Sequence, residues 1–176
     1  MGAYYIYLIS SLPMLSFAAR IPFSLEDFLV KCKGLIPERE IELLRNIAYK
    51  ETDCFNPAAT GILGRWASFE IALRNELARL RGRRKKVDVL KFIRLPDDTE
   101  AYIGHLAMVA YKTPSILEAE KTLDQARWEF LDSLSIGHYF DFNYLLSYLL
   151  KLKILERWDR IQRADKERLF NQVAVN

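Results

Sequence analysis

Residues 61–86 read GILGRWASFEIALRNELARLRGRRKK. Within this stretch Ile62, Trp66, Phe69, Leu73, Leu77 and Leu80 recur at steps of four, three, four, four and three. That spacing places them on one face of an α-helix. A strand would send alternate positions to opposite sides and scatter the same residues. The segment from Gly61 to about Arg84 is therefore expected to be a helix with one apolar stripe. Glu70 and Arg74, one turn apart, are expected to pair on its flank.

Working toward the C-terminus, Val87 to Asp97 reads as a linker with apolar residues of its own. Asp98 or Thr99 is expected to cap a short helix that reaches about Tyr111. Thr113, with Pro114 behind it, reads as the cap of the next helix. Its expected stripe is Ile116, Ala119, Leu123, Ala126, Phe130 and Leu134, and Gly137 closes it. Asp141 is expected to cap a long final helix. Leu145, Leu149 and Leu152 form one apolar row there, and Leu146, Leu150, Ile154, Trp158 and Ile161 form a second. Two adjacent rows call for cover on more than one side, as a central helix needs. Past Glu156 the charges mix, with Glu156–Arg160 and Asp159–Arg163 at four-residue spacing.

Toward the N-terminus, Pro37 suits the first turn of a helix carrying Ile41, Leu44 and Ile47. Asp53 to Pro57 reads as a loop. Ser24 with Asp27 is close to a capping box for a short helix over Leu25–Lys33, which Gly34 stops. Tyr4 to Ile9 is aromatic and β-branched and locally favours an extended strand. The predicted fold is all-α: a bundle of about six helices with a long C-terminal helix and a short extended N-terminal segment. It forms a single helical domain over 1–176, divisible into lobes of about 1–95 and 96–176.

The totals agree with this. A chain of 176 residues can bury a core without staples. Its 7 Gly and 6 Pro leave few turns, which favours long helices over a sandwich or barrel. The formal net charge of +3 is too mild to imply nucleic acid or an acidic membrane. Cys32 and Cys54 lack CxxC spacing and read as small core residues in a reducing compartment, with a disulfide as the lesser alternative. Ala3 to Ala19 is apolar, but no Lys or Arg precedes Arg20 and Pro13 interrupts the run, so neither a signal peptide nor a membrane span is expected.

Chemistry-bearing motifs are sparse. There is no GxxxxGK[ST], no GxGxxG and no GxSxG, so no phosphate cradle or nucleophile elbow is expected. His105, His138, Cys32 and Cys54 are scattered, unlike the ligands of a zinc site. The pairs Asp97-Asp98 and Glu118/Glu120 suit solvated caps and faces. Core or capping roles suit His105 and His138 better than general-base work. No catalytic residue, metal or cofactor is expected, and no small-molecule substrate.

One feature rises above background. Arg79, Arg81, Arg83, Arg84, Lys85 and Lys86 place six positive charges in eight residues at the C-terminal end of the strongest helix. The helix dipole accounts for two or three of them. The block suits a solvated face, an acidic protein surface or a phosphate backbone.

Three strings together resemble a known family: Tyr4-Tyr5-Ile6-Tyr7-Leu8-Ile9-Ser10-Ser11-Leu12-Pro13, Arg65-Trp66 through Leu73-Arg74-Asn75-Glu76-Leu77-Ala78-Arg79-Leu80-Arg81, and Tyr148-Leu149-Leu150-Lys151-Leu152-Lys153-Ile154-Leu155-Glu156-Arg157-Trp158. They are similar to the small family encoded with bacterial V-type (V/A-type) ATP synthases that stands in for the socket component of the rotor, lettered C in bacteria and d in eukaryotes. The resemblance implies an all-helical, non-catalytic adaptor that seats the central shaft on the membrane rotor ring. It implies as partners the shaft subunits and the ring, and a cytoplasmic place beside the inner membrane, held there through the complex. A full C-type socket has three similar helical domains, and this chain is shorter. Under this reading Arg79, Arg81, Arg83, Arg84, Lys85 and Lys86, with Arg157, Arg160 and Arg163, are candidate protein contacts on grounds of charge. The alternative is a helical nucleic-acid-binding protein that uses the block 79–86.

Overall fold

In the computed structural model the described residues are 4–49, 56–95, 97 and 100–174, with side chains through Ala164. They form seven α-helices and no strand: α1 (Tyr5–Ser11), α2 (Leu25–Cys32), α3 (Glu38–Tyr49), α4 (Ile62–Lys85), α5 (Ala101–Lys112), α6 (Ile116–Ser135) and α7 (Phe142–Ala174). The all-α fold and the long C-terminal helix stand as expected. The seventh helix is α1, which corrects the extended N-terminal segment. Tyr5, Leu8, Ile9 and Leu12 turn inward to differing degrees, a helical pattern that the β-branched and aromatic composition masks. A strand here would leave its backbone groups unpaired, whereas a helix bonds its own. Tyr4 N–H donates to the Leu35 carbonyl at 2.7 Å, and the Tyr5 hydroxyl donates to the Glu40 carboxylate.

The chain divides into two compact units, Met1–Tyr49 with Ser135–Asn176, and Lys50–Leu134. The breaks fall near residues 50 and 134, not near residue 95 where the linker pattern suggests one.

The first unit holds α1, α2, α3 and α7. Ser24 caps α2 in a complete capping box with Asp27, as its sequence requires. Gly34 then takes φ 76°, which ends the helix. In α7, Asp141 Oδ1 accepts from the Tyr144 N–H at 2.9 Å, and the other carboxylate oxygen lies 2.5 Å from His138 Nδ1. His138 is thus part of a helix start. Every residue from Leu145 to Leu150 is buried, so α7 is covered all round through that stretch. The faces that cover it carry Phe28 of α2 and Ile41 and Leu44 of α3, each fully buried. Tyr148 stacks on Phe28 with centroids 5.4 Å apart, and its hydroxyl donates to the Pro13 carbonyl at 2.9 Å. Cys32 is buried in this unit as expected, and burial pushes its thiol up to about 12. Cys54 lies outside the described residues, as do Asp53, Asp98 and Thr99 with the capping and loop roles expected of them.

Lys153, on the same helix, meets the core differently. Its Nζ donates to the Ile47 carbonyl at 2.6 Å, in the last turn of α3, where carbonyls lack helical partners. Burial lowers its pKa below the ordinary lysine value.

The second unit holds α4, α5 and α6. Trp66, Phe69, Leu73 and Leu77 of the α4 stripe are buried as expected, while Leu80 is only half-buried. Phe69 stacks on Phe130 of α6 at 4.3 Å between centroids. A loop crosses α4 at Gly64, where an added Cβ would lie 1.7 Å from the Ala59 carbonyl oxygen, so no side chain fits there. Thr113 ends α5, and Ser115 caps α6 by accepting from the Glu118 N–H at 3.3 Å. That corrects the cap expected at Thr113. Pro114 disfavours helix in the residue before it, so the two helices stay separate. Ile116 is correspondingly 83 % exposed and outside the stripe. His105 is exposed on α5, not in a core.

Glu70 pairs with Arg74 as expected, at 3.8 Å, though its side chain is not on an exposed flank. It is buried, and its nearest cation is Arg127 of α6, whose Nε donates to Oε1 at 2.6 Å. Arg127 also donates through Nη1 to the buried Asp124 at 2.9 Å. Burial alone would lower its pKa, but the two carboxylates outweigh that and hold it charged.

Two outcomes follow for stability. Arg127→Leu removes the cation shared by two buried carboxylates and should cost about 3–5 kcal/mol in urea unfolding. Arg127→Lys should recover only part of that, since one ammonium cannot reproduce the fork. For Lys153 the folded pKa lies below the unfolded one, so between them the unfolded chain binds more protons. Stability of the wild type relative to Lys153→Met should therefore rise with pH from that lowered value to about 10.4, measured by urea unfolding across alkaline pH.

Candidate functional site

The basic block occupies the last turns of α4, in the second unit. Its members differ in what they do. Arg79 is tied internally: Nη2 donates to both Asp97 oxygens, at 2.5 and 2.6 Å, and Nη1 to Glu76 at 2.5 Å. The Asp97 hydrogen bond is the main reason its pKa is raised. Arg79 thus holds the chain beyond the helix and is not offered outward. Arg81, Arg83, Arg84, Lys85 and Lys86 are exposed, with no carboxylate at ion-pair distance among the described residues. They sit where the helix dipole favours cations.

The helix ends at Lys86, which adopts the left-handed conformation (φ 53°) and reverses the chain. Val87 N–H then donates to the Gly82 carbonyl at 3.2 Å. A single 3-10 turn over Leu90–Phe92 follows, started by Asp88, whose carboxylate accepts from the Leu90 N–H at 3.1 Å. The returning segment is clamped to α4 by Asn75, which is buried. Its Nδ2 donates to the Arg94 carbonyl at 2.8 Å, and its Oδ1 accepts from the Arg94 N–H at 3.0 Å. Both backbone groups of Arg94 are thereby satisfied by one amide, which only Asn or Gln can do.

Between α4 and this segment lies a groove of about 450 Å³. Leu77, Ala78 and Gly82 line its α4 side, and Val87 and Phe92 the other. Arg74, Arg81 and Lys85 stand along it. Leu90, Phe92 and Leu95 of the same segment are 81, 62 and 82 % exposed. An apolar floor with a cationic border is therefore what the block contributes to. The sequence signalled it only as a linker richer in apolar residues than a solvated loop needs.

Arg157, Arg160 and Arg163 belong to α7 in the other unit. Arg163 pairs with Asp159 at 2.7 Å, Arg160 is exposed, and Arg157 is half-buried. A second cavity, of about 460 Å³, opens beside the start of α4 over Phe69 and Phe130, with Arg65 and Glu100 at its border. Among the described residues no three His, Cys, Asp or Glu side chains are placed to hold a metal ion. Among them, too, no helix is long and apolar enough to cross a membrane.

These features define a class: an all-helical protein whose most distinctive described surface is a cation-bordered apolar groove. Residues 93–175 match a family described as a protein of unknown function, DUF2764. The match takes in α5, α6 and α7 and leaves the basic end of α4 outside it. No curated protein and no solved structure matches the chain.

The different duties within the block are separable by mutation. Arg79→Ala should lower the thermal unfolding midpoint measurably, because it frees Asp97 and the returning segment. Arg83→Ala should leave that midpoint essentially unchanged.

Proposed function

We propose that this chain is a non-catalytic component of a bacterial V-type ATPase, a C/d-type adaptor that couples the central shaft to the membrane rotor ring. The sequence resemblance supplies the identity of the complex. Two of its three strings also meet in the fold, since Tyr148 of the last bonds the carbonyl of Pro13 in the first. The observation that carries an adaptor role is the α4 end, where five exposed cations stand without acidic partners among the described residues, beside an apolar groove. Such a surface suits capture of another protein, with apolar area for affinity and charge for orientation. On this reading the chain sits at the cytoplasmic side of the inner membrane, held by its protein partners.

The five cations also give a second reading some support, binding of a nucleic-acid backbone. An apolar floor adds nothing to contacts with phosphates, which cations and hydrogen-bond donors make.

Affinity purification of the tagged protein from its native membranes, followed by mass spectrometry, separates the two. The expected result is recovery of rotor-ring and shaft subunits, reduced when Arg81, Arg83 and Arg84 are changed to Glu. A nucleic-acid-rich eluate without ATPase subunits would replace the adaptor reading with the second one.

A further inference from the structure

We infer that the groove at the end of α4 is a docking site for an acidic amphipathic helix of a partner protein. The inference deepens the adaptor reading by naming the chemistry of one partner segment, and it rests on that reading only for the partner's identity.

The groove's shape sets the first requirement. From Arg74 to Lys85 it follows twelve residues of α4, a length of roughly 16 Å or three helical turns. One wall is the α4 surface at Leu77, Ala78 and Gly82, and the other is the segment that Asn75 clamps at Arg94. The walls are thus fixed relative to one another by part-buried hydrogen bonds, and the groove exists before anything enters it. Gly82 keeps it narrow, because a Cβ there would lie 2.3 Å from Val89 Cγ2. A convex rod fills such a trough, and a planar bilayer cannot. The apolar stripe of an amphipathic helix is the commonest rod of that kind.

The charges set the second requirement. Arg81 and Lys85 lie four residues apart on one face, about 6 Å along the helix axis. Neither has a carboxylate at ion-pair distance among the described residues. Arg74, seven residues before Arg81, shares its charge with Glu70 at 3.8 Å. A complementary helix would carry Asp or Glu at four-residue spacing beside its apolar stripe, facing Arg81 and Lys85. A basic or neutral helix would leave those cations desolvated and unmatched, which disfavours it. Phe92, exposed at the far wall, supplies the aromatic anchor that such contacts use.

The test uses the full-length protein and an idealised, fluorescein-labelled peptide of about five helical turns, made of Leu, Ala and Glu with one Leu stripe flanked by Glu. A second peptide has Lys in place of every Glu. Fluorescence anisotropy should show binding of the Glu peptide and none of the Lys peptide. The pair Arg81→Glu with Lys85→Glu should weaken it at least about tenfold. Phe92→Asp should do the same, while Arg45→Glu on α3 should change nothing. All these positions are exposed, and unchanged thermal unfolding identifies variants that remain folded.

Equal binding of the two peptides would overturn the inference, as would binding indifferent to Arg81, Lys85 and Phe92. Groove-dependent binding of anionic phospholipid vesicles or of duplex DNA, with no binding of the Glu peptide, would also overturn it. The adaptor reading fails separately. If the groove variants still recover ATPase subunits from membranes, the adaptor stands and the groove does not. If the Glu peptide binds but no ATPase subunit is recovered, the groove stands alone.

Discussion

Six consecutive residues of α7, Leu145 to Leu150, are buried. Consecutive positions on a helix point about 100° apart, so six of them look in every direction. Cover must therefore arrive from all sides, and no single neighbour supplies it. α2 and α3 each pack on α7 and on one another, and Tyr148 reaches the segment after α1 through Pro13. The first helices of the chain are thus needed to bury the last one. Two polar side chains of α7 find backbone acceptors, Tyr148 at Pro13 and Lys153 at the end of α3. The Lys153 amine caps a helix terminus that would otherwise present an unpaired carbonyl to a dry environment.

The second unit solves a different problem. Glu70 and Asp124 bring two negative charges inside, and burying one of them alone would be prohibitive. Arg127 meets both with separate nitrogens, which ties α4 to α6 in one register. Asn75, one turn and a residue further along α4, then uses its amide to fix Arg94. The clamp carries the order of the interior out to the surface, since it decides where Val87 to Leu95 lies. The groove is in this sense a by-product of one buried amide, and its cations are ordinary surface residues given a fixed neighbour.

Much of this is legible in the chain and some is not, for identifiable reasons. The stripes of α4 and α7 and the caps at Ser24 and Asp141 are local signals, and local signals survive in the fold. Tyr4 to Ile9 misleads because residue type and residue spacing disagree there, and spacing wins because no partner strand lies among the described residues. Glu70 does pair with Arg74 as the spacing suggests, but its shorter bond goes to Arg127, 57 residues away, which spacing cannot show. Arg79 looks like one more member of a basic run until Asp97 returns beside it, 18 residues on. The groove is invisible for the same reason: Asn75 and Arg79 tie its walls together through partners 19 and 18 residues further on. The boundaries near residues 50 and 134 leave no mark in composition, because a division between units is a property of contacts and not of linkers.

The first unit is assembled from two stretches that the second unit separates. A ribosome makes them in order, at about 5–20 residues per second. Residues 50–134 are therefore complete, with all three of their helices, while α1, α2 and α3 still lack α7. For on the order of ten seconds Leu8, Phe28, Ile41 and Leu44 lack the α7 face that completes their cover. Newborn chains thus carry a finished half and an open, greasy one. Chaperone demand, and the toll taken by any stop codon before Leu145, should concentrate on the part made first.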